Sequence, residues 1–219
     1  HVAAQHATFT ASGPDVTATE SGSDFTRNTT SGYVVSAVEV SGSQAQGTLV
    51  AFGDSITDGS GSTFGKNDRW VGGLAERFRE LPESSRLGIV NAGIGANRIL
   101  LDANPGGIGG PSGLSRFDRD VLSHADVSTV VLFLGINDIQ QTPAQHDPQK
   151  IIDGLAGLAG RAKAQGARVV GGTITPYRGW GSFGPQGEAT RQAVNEWIRT
   201  NDVYDAVLDF DAAVRDGAD

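Results

Sequence analysis

The chain has 219 residues, 17 basic and 25 acidic, for a formal charge of −8; the basic residues are scattered, which argues against a nucleic-acid or anionic-membrane surface. Apolar residues make up 38% of it, enough for a sizeable core, and no apolar run reaches the length of a membrane span. There is no cysteine and no methionine, so disulfides and Cys-based metal sites are excluded, and His1 is not a retained translation start.

No charged segment leading into an apolar stretch marks a signal peptide. We therefore expect that processing removed one, or that the sequence begins inside a longer protein. Residues 1–46 are rich in Ser, Thr, Gly and Ala, with alternating stretches at His6 to Thr10 and Tyr33 to Val40. They read as strands and turns, too few for an independent domain, and hence as the C-terminal part of a β-rich N-terminal module.

From Gly47 the pattern changes to strand–loop–helix units. Thr48 to Phe52 reads as a buried strand, and Arg69 to Glu80 as a helix by the spacing of Trp70, Val71, Leu74, Ala75 and Phe78. Leu87 to Asn91 is a second strand, Leu114 to Leu122 a helix, and Val127 to Leu134 a third strand. Pro148 to Ala164 is a helix, with Pro in its first turn and Gly166 just past its end. Ala167 to Thr173, Glu188 to Arg199 and Asp205 to Asp209 complete the alternation as strand, helix and strand. Such alternation predicts a three-layer α/β/α sandwich around a parallel sheet, whose ligands bind beyond the carboxyl ends of the strands.

Three polar clusters fall at those ends. Gly53-Asp54-Ser55-Ile56-Thr57-Asp58-Gly59 follows the first strand, Asn91-Ala92-Gly93-Ile94-Gly95-Ala96-Asn97 the second, and Gly135-Ile136-Asn137-Asp138 the third. Acyl transfer needs a nucleophile and donors aimed at the developing oxyanion. Ser55 offers the hydroxyl and one backbone N–H, the Gly95–Ala96 region a second N–H, and the Asn137 amide a third donor. Asp54, Gly135 and Asp138 read as supports of these loops, and Asp58 as a support or a cleft residue. Taken singly, Ser55 is equally good helix-capping chemistry, and Asn137-Asp138 equally good loop satisfaction.

The three blocks, with Arg116 to Leu122, Glu188 to Arg199 and Asp205 to Asp216, resemble those of the SGNH (GDSL) serine hydrolases, over nearly all of the chain from Gly47. The resemblance implies a flavodoxin-like fold and hydrolysis of carboxylic esters through an acyl-enzyme. It implies acetyl or other short acyl esters of carbohydrates or lipids as substrates, and no metal or organic cofactor. The family's second oxyanion donor is usually a Gly, and that position falls on Ala96 beside Gly95. An Ala serves there with negative φ and resists positive φ.

The family's last block, Asp-x-x-His, supplies the base. His1, His6, His124 and His146 all lack that setting: the first two belong to the β portion, and His124 falls at the amino end of the third strand. We expect the sequence to stop before the block. An inactive relative, or replacement by His146 (on the correct side of the sheet), are the alternatives. Two other classes stay open, a carbohydrate- or ester-binding module on an inactive scaffold and a flavodoxin-like nucleotide binder. Gly93-x-Gly95 lacks the third Gly of a dinucleotide fingerprint, since Arg98 stands there. Trp180 and Phe183, in the Gly-rich stretch Tyr177 to Gly187, are candidates for a substrate wall or for packing under the loop. Composition, charge and resemblance together point to a secreted protein of unassigned oligomeric state.

Overall fold

The computed structural model describes residues 8–11, 15–16, 18–29, 37–42, 44–104 and 107–216. His1, His6 and the first part of the expected strand at Tyr33 to Val40 lie outside them, and residues 37–40 form no strand. Two short N-terminal strands, β1 (Thr8–Thr10) and β2 (Arg27–Thr29), pair antiparallel.

The main sheet has five parallel strands: β3 (Thr48–Gly53), β4 (Gly88–Gly93), β5 (Val127–Phe133), β6 (Arg168–Gly172) and β7 (Ala206–Leu208), in the order β4-β3-β5-β6-β7. The order reverses between β3 and β5, the point at which doubly wound sheets open a crevice. The central strands are buried on both faces, so they read as near-continuous apolar runs: Val50, Ala51 and Phe52 in β3 and Val130 to Phe133 in β5 are all buried.

Helices cover both faces. On one lie α3 (Gly113–Phe117), α5 (Pro148–Ala164) and α6 (Pro185–Thr200). They bury Phe117, Ile151, Leu155, Leu158, Val194 and Ile198 against Val50, Phe52, Val130 and Leu132. Helix α5 places Ile151, Leu155, Leu158 and Ala162 on one stripe at helical spacing; its N-cap Asp147 accepts from the Gln149 N–H at 3.0 Å. On the other face α2 (Trp70–Arg79) packs Val71, Leu74 and Phe78 on Leu49, Ala51 and Phe133. There Phe210, in α7 (Phe210–Val214), stacks on Phe133 at 4.5 Å between centroids.

The expected helix Leu114 to Leu122 changes pitch: α3 runs on into a π-helical turn, Asp118–Leu122. Arg161 of α5 donates to the Leu114 carbonyl at 2.8 Å and pairs with Asp118 at 2.6 Å, so a carbonyl of the helical ladder is engaged from outside where the pitch changes. Helix α6 begins at Pro185, three residues before the expected Glu188, because Pro at the first helical position needs no N–H partner. Two one-turn helices, α1 (Ser55–Asp58) and α4 (Ile136–Gln140), were not signalled by periodicity; each is too short to show one.

Beyond β6 and β7 the chain is tied by a buried ion cluster. Arg191 of α6 donates to Asp211 at 2.6 Å and to the Ile174 carbonyl at 2.7 Å, and Arg199 reaches Asp211 at 2.6 Å. Arg215 also bonds Asp211. Burial pushes the Asp211 carboxyl up, but these guanidinium groups outweigh it and hold it below the ordinary value. Removing one partner of a buried pair strands the other charges, which costs about 3–5 kcal/mol. Asp211→Ala is therefore expected to lower the unfolding free energy by that amount in urea titration. Arg79→Ala, which breaks the exposed pair with Glu76, should change it by no more than about 1 kcal/mol.

Candidate active site

The three polar blocks meet at the switch point. Gly53 pairs in register with Gly93 of β4 on one side and with Phe133 of β5 on the other, and adjacent strands lie about 5 Å apart. Ser55 therefore stands just past the end of β3, with Gly95-Ala96 past β4 and Asn137 past β5 on either flank.

Direct bonds hold the blocks together. The Ile94 N–H donates to the Gly53 carbonyl at 3.2 Å, and Asn91 Nδ2 to the Thr57 carbonyl at 2.7 Å. Asn137 Nδ2 donates to the Asn97 carbonyl at 3.0 Å, and Gln141 Nε2 to the Ala96 carbonyl at 2.9 Å. Gly93 permits a close approach: a Cβ there would sit 2.3 Å from the Asp58 nitrogen. Gly135, the residue before α4, has φ 132°, a region L side chains rarely adopt. It turns the chain so that Asn137 comes back over the strand ends.

Sequence reasoning missed the residue that binds this junction. Arg116 is fully buried. Its Nη2 donates to the Gly53 carbonyl and its Nη1 to the Ala92 carbonyl, both at 2.8 Å; its Nε donates to Asn97 Oδ1 at 3.0 Å, and Asp120 balances it at 3.0 Å. The guanidinium lies 3.9 Å from the centre of the Phe52 ring. Burial pulls Arg116 down to about 10, so it stays charged at neutral pH. The nearest sequence signal was the stretch Arg116 to Leu122 that shares in the family resemblance, and it points to no partner for the guanidinium.

Both supporting carboxylates are buried. Asp54 is 1% exposed and accepts the Ile56 N–H at 3.0 Å; burial pushes it up to about 7, with Asp138 adding to the rise and the Ile56 N–H and Arg116 opposing it. Asp138 is raised by burial too, although Oδ2 accepts the Ile99 N–H at 2.7 Å and Oδ1 the Leu100 N–H at 3.0 Å. Asp58 is raised by burial, against the influence of Arg69 and a hydrogen bond from the Gly95 N–H.

The donors at the crevice divide accordingly. The Gly95 N–H lies beside the Asp58 carboxyl and helps to hold its pKa down. Among the described residues the N–H groups of Ser55 and Ala96 and the Ser55 hydroxyl make no hydrogen bond, and Asn137 Nδ2 has one proton left after bonding Asn97. Ser55 is half-buried. Ala96 does not meet the condition of negative φ set for its service as a donor: it sits at φ 62°, the left-handed region that costs a non-glycine residue energy. Trp180 is 65% exposed and Phe183 36% exposed, so the Trp is not packed beneath its loop.

His124 lies at the amino end of β5, its Nδ1 3.7 Å from Glu39. The only hydrogen bond of His146 among the described residues is at its carbonyl, which accepts from Thr190 of α6 at 3.0 Å. Among the described residues no group of three His, Cys, Asp or Glu side chains is placed to hold a metal, and no helix is long and apolar enough to cross a membrane.

The model of the GDSL-like lipase/acylhydrolase family matches residues 51–219. Among solved structures the chain is similar to a G-D-S-L family lipolytic protein of Desulfitobacterium hafniense DCB-2, at 21% identity and TM-score 0.57 over 78% of this chain and 81% of that one. It is similar to the psychrotrophic esterase EstA of Pseudoalteromonas sp., inhibited by monoethylphosphonate (18% identity, TM-score 0.56, 75% and 77% covered). It is also similar to Est24, a carbohydrate acetylesterase of Sinorhizobium meliloti (19%, 0.52, 73% and 83%). At such identities the likeness establishes a shared fold. No curated protein matches the sequence.

Two predictions follow from strain and charge. A left-handed Ala costs on the order of 1–3 kcal/mol, partly offset by the unfolded-state entropy of a Gly; Ala96→Gly is expected to stabilise the protein by about 1 kcal/mol in denaturant titration. For Asp54, the folded state binds the proton more tightly than the unfolded chain (about 7 against 3.8). Stability contributed by this residue therefore falls as pH rises from about 4 to about 7 and is level above. The stability of Asp54→Asn relative to the unsubstituted protein should rise across that window; a pH-independent difference would contradict the raised value.

Proposed function

The chain belongs to the GDSL-like lipase/acylhydrolase family, and from that premise we propose that it hydrolyses carboxylic esters through an acyl-enzyme on Ser55. The observation that carries this reading is the set of unspent groups at one crevice: a half-buried serine hydroxyl flanked by three donors that the fold has left unsatisfied.

In the reaction, Ser55 Oγ attacks the acyl carbon and gives its proton to a base. The tetrahedral oxyanion is held by the N–H groups of Ser55 and Ala96 and the free Asn137 Nδ2 proton. The Gly95 N–H, beside the Asp58 carboxyl, is the alternative to that of Ala96 as the second backbone donor. The carbon–oxygen bond to the alcohol breaks, the alcohol leaves with the proton, and water releases the acid by the same route. Asp54, Gly135 and Asp138 hold the loops in place.

The family pattern gives the role of base to an Asp-x-x-His block; His124, at the opposite end of the sheet, is not given it, and His146 is the alternative. The substrates are small acyl esters of carbohydrates or lipids, the exposed Trp180 and Phe183 forming one wall. The setting is extracellular. These statements rest on the resemblance and on composition.

In the full-length protein, a fluorophosphonate is expected to add covalently at Ser55, read by peptide mass. Ser55→Ala should lower kcat for a short-chain p-nitrophenyl ester on the order of 10^4-fold or more, and Asn137→Ala about 10^2–10^3-fold. Absence of both adduct and turnover would favour the inactive binding module. Normal turnover by Ser55→Ala would remove Ser55 as nucleophile.

A further inference from the structure

The ester-hydrolase reading leaves unused two consecutive glutamines at the end of α4, each of which reaches one flank of the oxyanion site. Gln140 Nε2 donates to Asn137 Oδ1 at 3.0 Å, and Gln140 Oε1 accepts from Ser182 Oγ at 3.2 Å. Gln141 holds the Ala96 carbonyl on the other side. Ser182 lies between Trp180 and Phe183, in a loop folded by bonds from the Trp180 N–H to the Tyr177 carbonyl (3.0 Å) and from the Phe183 N–H to the Trp180 carbonyl (2.9 Å). The Phe183 ring meets that of Tyr177 edge-on at 5.2 Å.

We propose that Gln140 is a positioning residue for the Asn137 amide, and that Ser182 links it to the aromatic loop that receives the substrate. The proposal rests on Asn137 being an oxyanion donor. A primary amide has two flip states of nearly equal shape, and only one directs N–H at a given point. Here both ends of the Asn137 amide are specified: Nδ2 faces the Asn97 carbonyl and Oδ1 faces the Gln140 amide nitrogen. Flipping Asn137 sets oxygen against oxygen at Asn97 and nitrogen against nitrogen at Gln140, losing two hydrogen bonds.

Gln140 has the same ambiguity, and Asn137 Oδ1, itself fixed by the Asn97 carbonyl, selects the rotamer in which the Gln140 nitrogen faces it, while the Ser182 hydroxyl donates to the far end of the Gln140 amide. The spacing of Asn137 and Gln140, one helical turn apart, lets the contact form within α4 itself. An acyl or alcohol group resting on Trp180 or Phe183 displaces the loop that carries Ser182, and through Gln140 bears on the donor that meets the oxyanion. Substrate fit on the aromatic wall is thereby read in kcat and not in binding alone.

The test is a double-mutant cycle on the full-length protein, with a short p-nitrophenyl ester and the melting temperature of every variant as the control for folding. Gln140→Ala is expected to lower kcat about ten-fold, less than outright loss of a donor, with KM within about two-fold. Gln140→Glu, which still accepts from Ser182 but has no proton for Asn137, should fall as far. Ser182→Ala should lower kcat about two- to three-fold, and the Gln140→Ala/Ser182→Ala double variant no further than Gln140→Ala alone. Unchanged kcat in both Gln140 variants, multiplicative losses in the double variant, or losses that track a drop in folded protein would overturn the proposal while Ser55→Ala is inactive. A fully active Ser55→Ala would overturn it together with the reading on which it rests.

Discussion

The guanidinium of Arg116 is the interaction on which the crevice depends. At the carboxyl ends of β3 and β4 it donates to the carbonyls of Gly53 and Ala92, the former also accepting the Ile94 N–H at 3.2 Å. Arg116 thereby bonds the ends of two adjacent strands while fixing Asn97 through Oδ1. Its five donors lie in one rigid plane, so satisfying two adjacent strands also sets the distance between the loops that follow them. Lysine, a point charge on a flexible stem, has neither the donor count nor the planarity. The cost of burying the charge is offset by Asp120 and by the face of Phe52.

From Arg116 the ordering passes outward through amides. Asn97 donates its own Nδ2 protons to the Gly109 and Pro111 carbonyls at 2.7 and 2.8 Å, and its backbone carbonyl receives Asn137. In this series the Asn97 side chain has a partner for both Nδ2 protons and for Oδ1, and Asn137 keeps one Nδ2 proton. Elsewhere in a folded protein an unsatisfied N–H is a defect; at the mouth of a site it is a donor held ready, with its reorganisation completed during folding. Ala96 in a left-handed conformation is consistent with this view, since local strain persists only where the surroundings over-determine the backbone. Here the Gln141 contact to its carbonyl is part of that determination.

The alternating strands and helices from Thr48 onward were legible because burial imposes a period. Parallel strands bury both faces and show apolar runs, while α5 shows its stripe at Ile151, Leu155, Leu158 and Ala162. The site was legible as three polar clusters at strand ends, since α/β topology converts that position into a crevice. Arg116 was not, because its role is set by partners 63, 24 and 19 residues away, and no local period encodes them. The same holds for Gln140, whose partner Ser182 is 42 residues distant. The left-handed Ala96 was legible only as a conflict, an Ala where the resemblance implies a Gly.

A carboxyl pushed up to about 7 next to a candidate nucleophile invites a reading as general base, and for Asp54 the geometry argues against it. Perturbed groups mark functional sites, but structural networks perturb them as well, and a base must reach the proton it takes. Asp54 is 1% exposed and directs Oδ1 at the Ile56 N–H, closing the turn that begins α1. Its neighbour Asp138 has both oxygens engaged by the Ile99 and Leu100 N–H groups. Their raised values are the cost of burying loop anchors beneath the crevice, with Arg116 and Arg98 close enough to temper it. Buried carboxylates that hold backbone N–H groups below the site leave its upper surface to uncharged donors. That suits stabilisation of an oxyanion, because a carboxylate facing the crevice would repel the charge that develops there.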